Sequence, residues 1–372
     1  MRTAALVRCV LRCVVLWAAL AACGSDAVRS PTPVRMAGEC MGTSWSAVVT
    51  LRPGEEYDDV VGLIQAELDA VDAALSTWKD DSDLSRLNRA SVGDRVAASE
   101  HTVAVLRIAN GMYEATGGVF DPSVGPLVAL WGFSGYEVER EAPSDEAIEA
   151  ALARIGWPSV EVGDDFVLLW RDEVEVDASA VAKGYGVDAA AEALVASGHA
   201  AFPLEVGGEM VLRGRNPDGV PWRVGVDDPL PPEGSDPLSP LNLAPRRPIA
   251  RLAMESGAVA TSGDYRNVRR IDGRLVSHAI DPRTGYPVEH TLASATVVAP
   301  TCAVADALAT AALVLGPEDG LALLERLDGV EGYLLVRTED PSEPLVARST
   351  AGMPALLLDG LGKDPGVAAR GR

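Results

Sequence analysis

The stretch NVRRIDGRLVSHAIDPRTGYPVEH, Asn267–His290, decides how the rest of the chain is read. Its first half alternates in the strand manner around Asp272-Gly273. That pair suits a two-residue turn of the primed type, so the spacing predicts a β-hairpin. A hairpin joins antiparallel strands. Further strand-like runs occur at PLEVGGEMVLRG, WRVGVDD and LASATVVA, and DFVLLWRDEVEVDA reads as a second hairpin around Arg171-Asp172-Glu173. Helical runs are interspersed at SAVAKGYGVDAAAEALVASG, ADALATAALVLG and PEDGLALLERLDG. This mixture predicts an α+β fold with largely antiparallel sheets rather than a regular β-α-β alternation. The second half of the stretch holds two of the four histidines, His278 and His290, among the turn-formers Asp281, Pro282, Gly285 and Pro287. By itself it is a turn.

Nearer the N-terminus, Val60, Val61, Ile64, Leu68, Val71 and Leu75 recur at helical spacing. A second helix is predicted after Ser99, with Val103, Leu106 and Met112 inward, and a third after Ser144, carrying Ile148, Leu152 and Ile155. Gly207-Gly208 interrupts a strand and predicts a bulge or a close approach of something flat or charged. Pro229 to Pro248 has seven prolines in twenty residues and predicts an extended surface loop.

The first residues carry an address. Arg2, Arg8 and Arg12 precede the apolar run VVLWAALAA, which is too short to span a bilayer, and Leu20-Ala21-Ala22-Cys23 resembles a bacterial lipoprotein box. The expected organisation is a signal peptide over 1–22, a lipid on Cys23, a tether over 23–38, a catalytic domain over 39–340 and a flexible tail over 341–372. The expected location is the extracytoplasmic side of a bacterial membrane. Loss of the three arginines takes the formal charge from -22 to -25. Such an acidic surface, with aromatics at only 5%, excludes a nucleic-acid partner but not a phosphorylated small molecule held beside a cation. Cys40 and Cys302 remain either as a disulfide pair or as two buried thiols.

Asp306 and Thr310 lie four apart on ADALATAALVLG, so a helix projects both from one face. Two oxygen donors on a stiff helix suit a hard cation such as magnesium; an exposed polar face is the alternative. In VDASAVAKGYGVD, Asp177 ends a strand, Lys183 falls one turn into a helix, and Gly184 and Gly186 permit close backbone approach. A lysine there can meet an anion or simply face solvent. TSGDY, Thr261 to Tyr265, reads equally as a phosphate-binding loop or an ordinary turn.

The order of these segments carries more than any one of them. MGTSWSAVV, LSTWKDDSDLSRLN, GGVFDPSVGPLVALWGF, VDASAVAKGYGVD, LEVGGEMVLRG, VATSGDYRNV, SHAIDPRTGYPV and ADALATAALVLG together resemble the ApbE family, the FAD:protein FMN transferases, from about Cys40 to about Val336. The resemblance implies an ApbE-like (T-fold-like) architecture and a magnesium-dependent transfer of FMN from FAD to a threonine or serine hydroxyl of an acceptor protein, with release of AMP. The acceptor class it implies is a membrane electron-transfer subunit or a secreted flavin-accepting protein. By matching position to motif, Mg2+ falls to Asp306, Thr310 and the Ala180 carbonyl. The flavin nucleotide falls to Met41, Trp78, Val119, Phe120, Asp121, Asp177 and Lys183, and the pyrophosphate to His278 and Asp281, as catalytic residues. Trp78 stands where many relatives have tyrosine, which keeps an aromatic wall. A magnesium-dependent FAD pyrophosphatase and a non-catalytic flavin-binding lipoprotein are the alternative activities.

Overall fold

Every residue of the strand Leu292–Ala299 is buried, which requires cover on both faces of its sheet. The computed structural model describes residues 32–134, 139–231, 246–340 and 342–361. The signal peptide, Cys23, the first part of the tether and most of the proline-rich loop lie outside the described residues.

Leu292–Ala299 belongs to an eight-stranded sheet: Pro33–Cys40, Thr43–Thr50, Phe202–Val206, Glu209–Arg213, Gly257–Gly263, Leu292–Ala299, Glu331–Arg337 and Leu345–Ser349. The strands lie side by side in chain order, and every neighbouring pair is antiparallel.

One face carries the helices. Val60, Ile64 and Leu68 of Tyr57–Leu75 pack with Val187, Ala190 and Leu194 of Ser179–Ala196 over Trp45, Phe202 and Leu204. Cys302–Leu315 covers the middle of the sheet, where Ala305, Leu308 and Ala312 join the cluster that holds Ala295 and Val297. Each fully buried leucine or isoleucine contributes about 1.5–3 kcal/mol. The other face is covered by a small antiparallel sheet of Trp222–Asp227, Pro248–Met254 and Leu357–Asp359, whose Val224, Leu252 and Leu357 meet Val298, Tyr333 and Leu335. A satellite cluster of Leu127, Trp131, Ile148, Ala151, Ile271 and Ile280 holds the opening hairpin against the helices Gly125–Leu130 and Asp145–Leu152.

The hairpin forms as its sequence predicts. Val268–Ile271 pairs with Arg274–Ser277, and Asp272 (φ 47°) and Gly273 (φ 77°) both take the left-handed conformation. Ser99 and Ser144 cap the helices that begin at Glu100 and Asp145, although the latter ends at Leu152, before Ile155.

Four expectations need correction. The tether does not reach Gly38: Pro33–Cys40 is an edge strand paired with Thr43–Thr50, so the fold already includes Pro33. The segment after 340 is not a free tail through 359, because Leu345–Ser349 pairs with Glu331–Arg337, and Leu357–Asp359 pairs with Pro248–Met254. In DFVLLWRDEVEVDA only Phe166–Leu169 is a strand, and it pairs with Val160–Val162 and Val96–Ala97. Val176 bonds instead to the Asn88 side chain, which donates to its carbonyl and accepts from its N–H, so an amide replaces a strand partner. Gly207-Gly208 is the two-residue turn of a hairpin between Phe202–Val206 and Glu209–Arg213, not a bulge.

Candidate active site

Two helices frame the candidate chemistry, and their crossing is fixed at two points. A Cβ on Gly184 would lie 2.4 Å from the Cys302 carbonyl oxygen and 2.9 Å from Ala303 Cα, so only glycine permits this approach. One turn on, the Asp188 carboxylate accepts the Cys302 N–H at 2.8 Å and the Ala303 N–H at 2.9 Å. These are helix-terminal donors without intrahelical partners, and a carboxylate there also meets the positive end of the helix dipole.

Asp306 follows on the inner face of the Cys302 helix and is 3% exposed. Its Oδ2 accepts the Gly184 N–H at 3.1 Å and lies 3.6 Å from Lys183 Nζ. Helix geometry directs the Gly184 N–H toward the Ala180 carbonyl, so that carbonyl and the Asp306 carboxylate are neighbours. One turn further, Thr310 Oγ1 lies 3.1 Å from Ser262 Oγ on the Gly257–Gly263 strand. Burial pushes the Asp306 carboxyl up to about 7; the Lys183 ammonium opposes this and the Glu209 carboxylate reinforces it. Lys183 Nζ donates to Glu209 Oε1 at 2.9 Å. Burial disfavours the ammonium, but Asp306 and Glu209 outweigh that and hold Lys183 above its usual value.

The residues present fit a magnesium ion. Among the described residues no three His, Cys, Asp or Glu side chains cluster to hold a metal by themselves. A cation here would meet one carboxylate with a hydroxyl and a carbonyl, the hard oxygen set that suits magnesium. It would also offset the cost of an ionised Asp306 in a buried position.

His278 follows directly on the strand Arg274–Ser277, with its N–H donating to the Asn267 carbonyl at 3.1 Å. Its Nδ1 is buried without a hydrogen-bond partner among the described residues. Burial pushes the imidazole below its ordinary value and the Lys183 charge adds to this, so the two residues are within electrostatic reach. Asp281 is engaged differently. Its carboxylate takes a two-pronged bond from Arg283, Nε at 2.9 Å and Nη2 at 2.7 Å, and the Arg283 N–H at 2.9 Å. These bonds hold its pKa low against the effect of burial. The turn is seated by Trp131 Nε1, which donates to the Gly285 carbonyl at 2.8 Å.

The remaining candidates form a looser set. Met41 occupies the turn between the first two strands at φ 48° and sits against Gly186, where a Cβ would lie 3.3 Å from its sulfur. Asp177 receives Ser179 N–H at 2.8 Å on its carboxylate and gives its own N–H to the Pro122 carbonyl at 2.7 Å, which joins it to the 119–121 segment. Val119 and Phe120 are buried in the helical core. Burial raises the Asp121 pKa, opposed by bonds from Ser123 Oγ and N–H at 2.6 and 2.8 Å. Trp78 stands 69% exposed between the helices Tyr57–Leu75 and Asp83–Leu87. Cys40 and Cys302 are separate buried thiols.

Sequence reasoning missed Glu209 and Ser262 as members of the site. Their signal was present in LEVGGEMVLRG and TSGDY, but nothing local ties either to the residues it touches. A cavity of about 760 Å³ runs beside the hairpin, lined by Tyr265, Ser277, Pro287, His290 and Arg337 among others. It contains none of the predicted site residues, so the chemistry is located by half-buried Lys183 beside buried Asp306 and not by the size of this hollow.

A family model described as "ApbE family" matches residues 41–334. The chain belongs to the ApbE family. The "FAD:protein FMN transferase" of Klebsiella pneumoniae (strain 342) is 35% identical over 335 residues, which cover 88% of this chain and 92% of the relative. Among solved structures, "Flavin Transferase ApbE from Vibrio cholerae" is 33% identical with a TM-score of 0.75, covering 87% of this chain and 99% of that one. The apo form of Pseudomonas stutzeri flavinyl transferase ApbE is 31% identical with a TM-score of 0.76, covering 89% and 98%. The α+β architecture with mostly antiparallel sheets is therefore that of solved ApbE structures.

Proposed function

We propose that this chain is an FAD:protein FMN transferase that moves FMN from FAD to a threonine or serine hydroxyl of an acceptor protein, releasing AMP. The observation that carries the reading is the pairing of half-buried Lys183 with buried Asp306, with Thr310 one turn further along the same helix, in a chain of the ApbE family. In the reaction the hydroxyl oxygen bonds to the FMN phosphorus, the bond from that phosphorus to the bridging oxygen breaks, and AMP leaves with that oxygen.

The residues divide the work. Asp306, Thr310 and the Ala180 carbonyl would hold Mg2+, which when bound neutralises charge on the pyrophosphate oxygens. Lys183 approaches a phosphate with a second positive charge. His278 takes the acceptor's proton at Nε2, the ring nitrogen left over once Nδ1 is sequestered. Its depressed pKa keeps it a free base at neutral pH. Asp281 holds the turn that presents His278 and does not itself exchange a proton, since Arg283 occupies its carboxylate. Met41, Trp78, the 119–121 segment and Asp177 bound the flavin nucleotide. A lipid on Cys23 would hold the enzyme at the extracytoplasmic face of a bacterial membrane, beside membrane-bound electron-transfer acceptors.

The test is incubation of the purified protein with FAD, Mg2+ and candidate acceptors, followed by intact mass and AMP measurement. The acceptor gains the mass of an FMN group and one AMP appears per transfer. AMP without mass gain assigns the chain as a pyrophosphatase, and no AMP assigns it as a flavin binder. His278→Ala with undiminished transfer at neutral pH would sink the proton role. Labelling by a fatty acid that survives Cys23→Ala would sink the anchor.

A further inference from the structure

Glu209 is the first residue after the Gly207-Gly208 turn and is 5% exposed. Its Oε1 takes the Lys183 ammonium at 2.9 Å, while its Oε2 is buried with no hydrogen-bond partner among the described residues. A carboxylate buried to hold the fold together normally has both oxygens satisfied. Here one oxygen serves Lys183 alone. The same ammonium stands 3.6 Å from Asp306 Oδ2, already within ion-pair range of the other carboxylate. One ammonium between two carboxylates leaves a formal charge of one negative; without Glu209 the remaining pair is neutral and closed.

We propose that Glu209 is a positioning residue for metal binding: by holding Lys183 Nζ on the strand side, it keeps the ammonium from closing on Asp306 and leaves that carboxylate open to a divalent cation. The inference rests on Asp306 and Thr310 being the metal ligands of the proposed transferase. It explains how one pocket accommodates a lysine and a dication, which repel each other. The cation takes Asp306, and Glu209 keeps the lysine a short distance away.

The experiment is isothermal titration of the purified full chain with MgCl2 in the wild type, Glu209→Gln, Glu209→Asp, Lys183→Met and the double variant Lys183→Met with Glu209→Gln. Glu209→Gln is expected to weaken magnesium binding by about tenfold or more, the range for residues that orient metal ligands. Glu209→Asp, which keeps the charge, should recover part of that loss. In the Lys183→Met background the Glu209 substitution should change affinity by less than about twofold, because there is no ammonium left to restrain. Unchanged affinity in Glu209→Gln overturns the proposal. So does an undiminished loss in the Lys183→Met background, which would make Glu209 act on the metal directly. If Glu209→Gln does not fold, Glu209→Ala binding magnesium as tightly as the wild type overturns it in the same way. Wild-type protein that takes up no magnesium, or Asp306→Ala that binds it equally well, sinks the metal site itself, a result distinct from failure of the Glu209 role alone.

Discussion

The Cα of Gly184 faces the Cys302 carbonyl so closely that an added methyl carbon would sit 2.4 Å from that oxygen. The obstacle is helix backbone, which cannot swing aside as a flexible side chain would. Gly184→Ala gains up to about 1 kcal/mol of helix propensity. Overpacking costs typically about 1–3 kcal/mol, and backbone opposition places this case toward the upper end. The expected outcome is a net loss of about 1–2 kcal/mol by urea denaturation, with weaker magnesium binding because the Ala180 carbonyl and the Asp306 carboxylate, on the two helices, move apart. Unchanged stability would show that the two helices slide without cost.

Asp306 is held near 7, so a proton competes with any cation for the same carboxylate. The group is raised, hence protonated below that value and ionised above it. Magnesium affinity should therefore weaken as pH falls through 7, approaching tenfold per unit, and level off above about 8. Calorimetry at pH 6.5 in two buffers of different ionisation enthalpy should detect proton release on binding, and at pH 8.5 it should detect almost none.

The Asp83 carboxyl is shifted in the opposite direction. Its Oδ2 accepts the Ser99 N–H at 2.7 Å and the Thr102 hydroxyl at 2.7 Å, tying the short helix Asp83–Leu87 to the start of Glu100–Thr116. Burial works against its charge, but these bonds and Arg86 keep its pKa below the ordinary value. A depressed carboxyl contributes stability that is fully present above its unfolded pKa of about 3.9 and is lost as pH falls through its folded value. The wild type should thus lose more unfolding free energy than Asp83→Asn between pH 6 and pH 3, and the two curves should converge in acid. Parallel curves would remove Asp83 from the acid response.

Trp131 seats the histidine turn through one buried hydrogen bond to the Gly285 carbonyl. Trp131→Phe keeps much of the ring volume and leaves that carbonyl without its donor, a cost of about 1–3 kcal/mol. Flavin transfer should fall with it, since the same turn carries Asp281 and follows His278 within a few residues. Full activity alongside reduced stability would separate the seating of the turn from the placement of the imidazole.

What could be read directly from the sequence was what is local. Asp272-Gly273 announces its hairpin because both positions need positive φ, and Ser99 and Ser144 announce helices because each satisfies an N–H three residues on. Asp306 and Thr310 could be paired in advance because four residues are about one helical turn. All the failures but one are pairings over distance. Val174 to Asp177 reads as a strand from its alternation, yet its partners are the Asn88 side chain and the Pro122 carbonyl. Leu357–Asp359 looks like the start of a ragged end until Pro248–Met254 is found beside it. Glu209 and Ser262 were invisible as site residues for the same reason, since their partners Lys183 and Thr310 lie 26 and 48 positions away. Gly207-Gly208 failed for a different reason: paired glycines serve a bulge and a tight turn equally well.

The eight-stranded sheet runs in the order of the chain. A polypeptide emerging from one end can therefore lay each strand on the edge left by the one before it. No strand has to be inserted between two that are already joined, and the intervening helices can settle on one face as the sheet widens. The structure is thus compatible with assembly as the chain emerges from one end, with Leu345–Ser349 as the last strand to close the row and Leu357–Asp359 left to complete the cover on its far side.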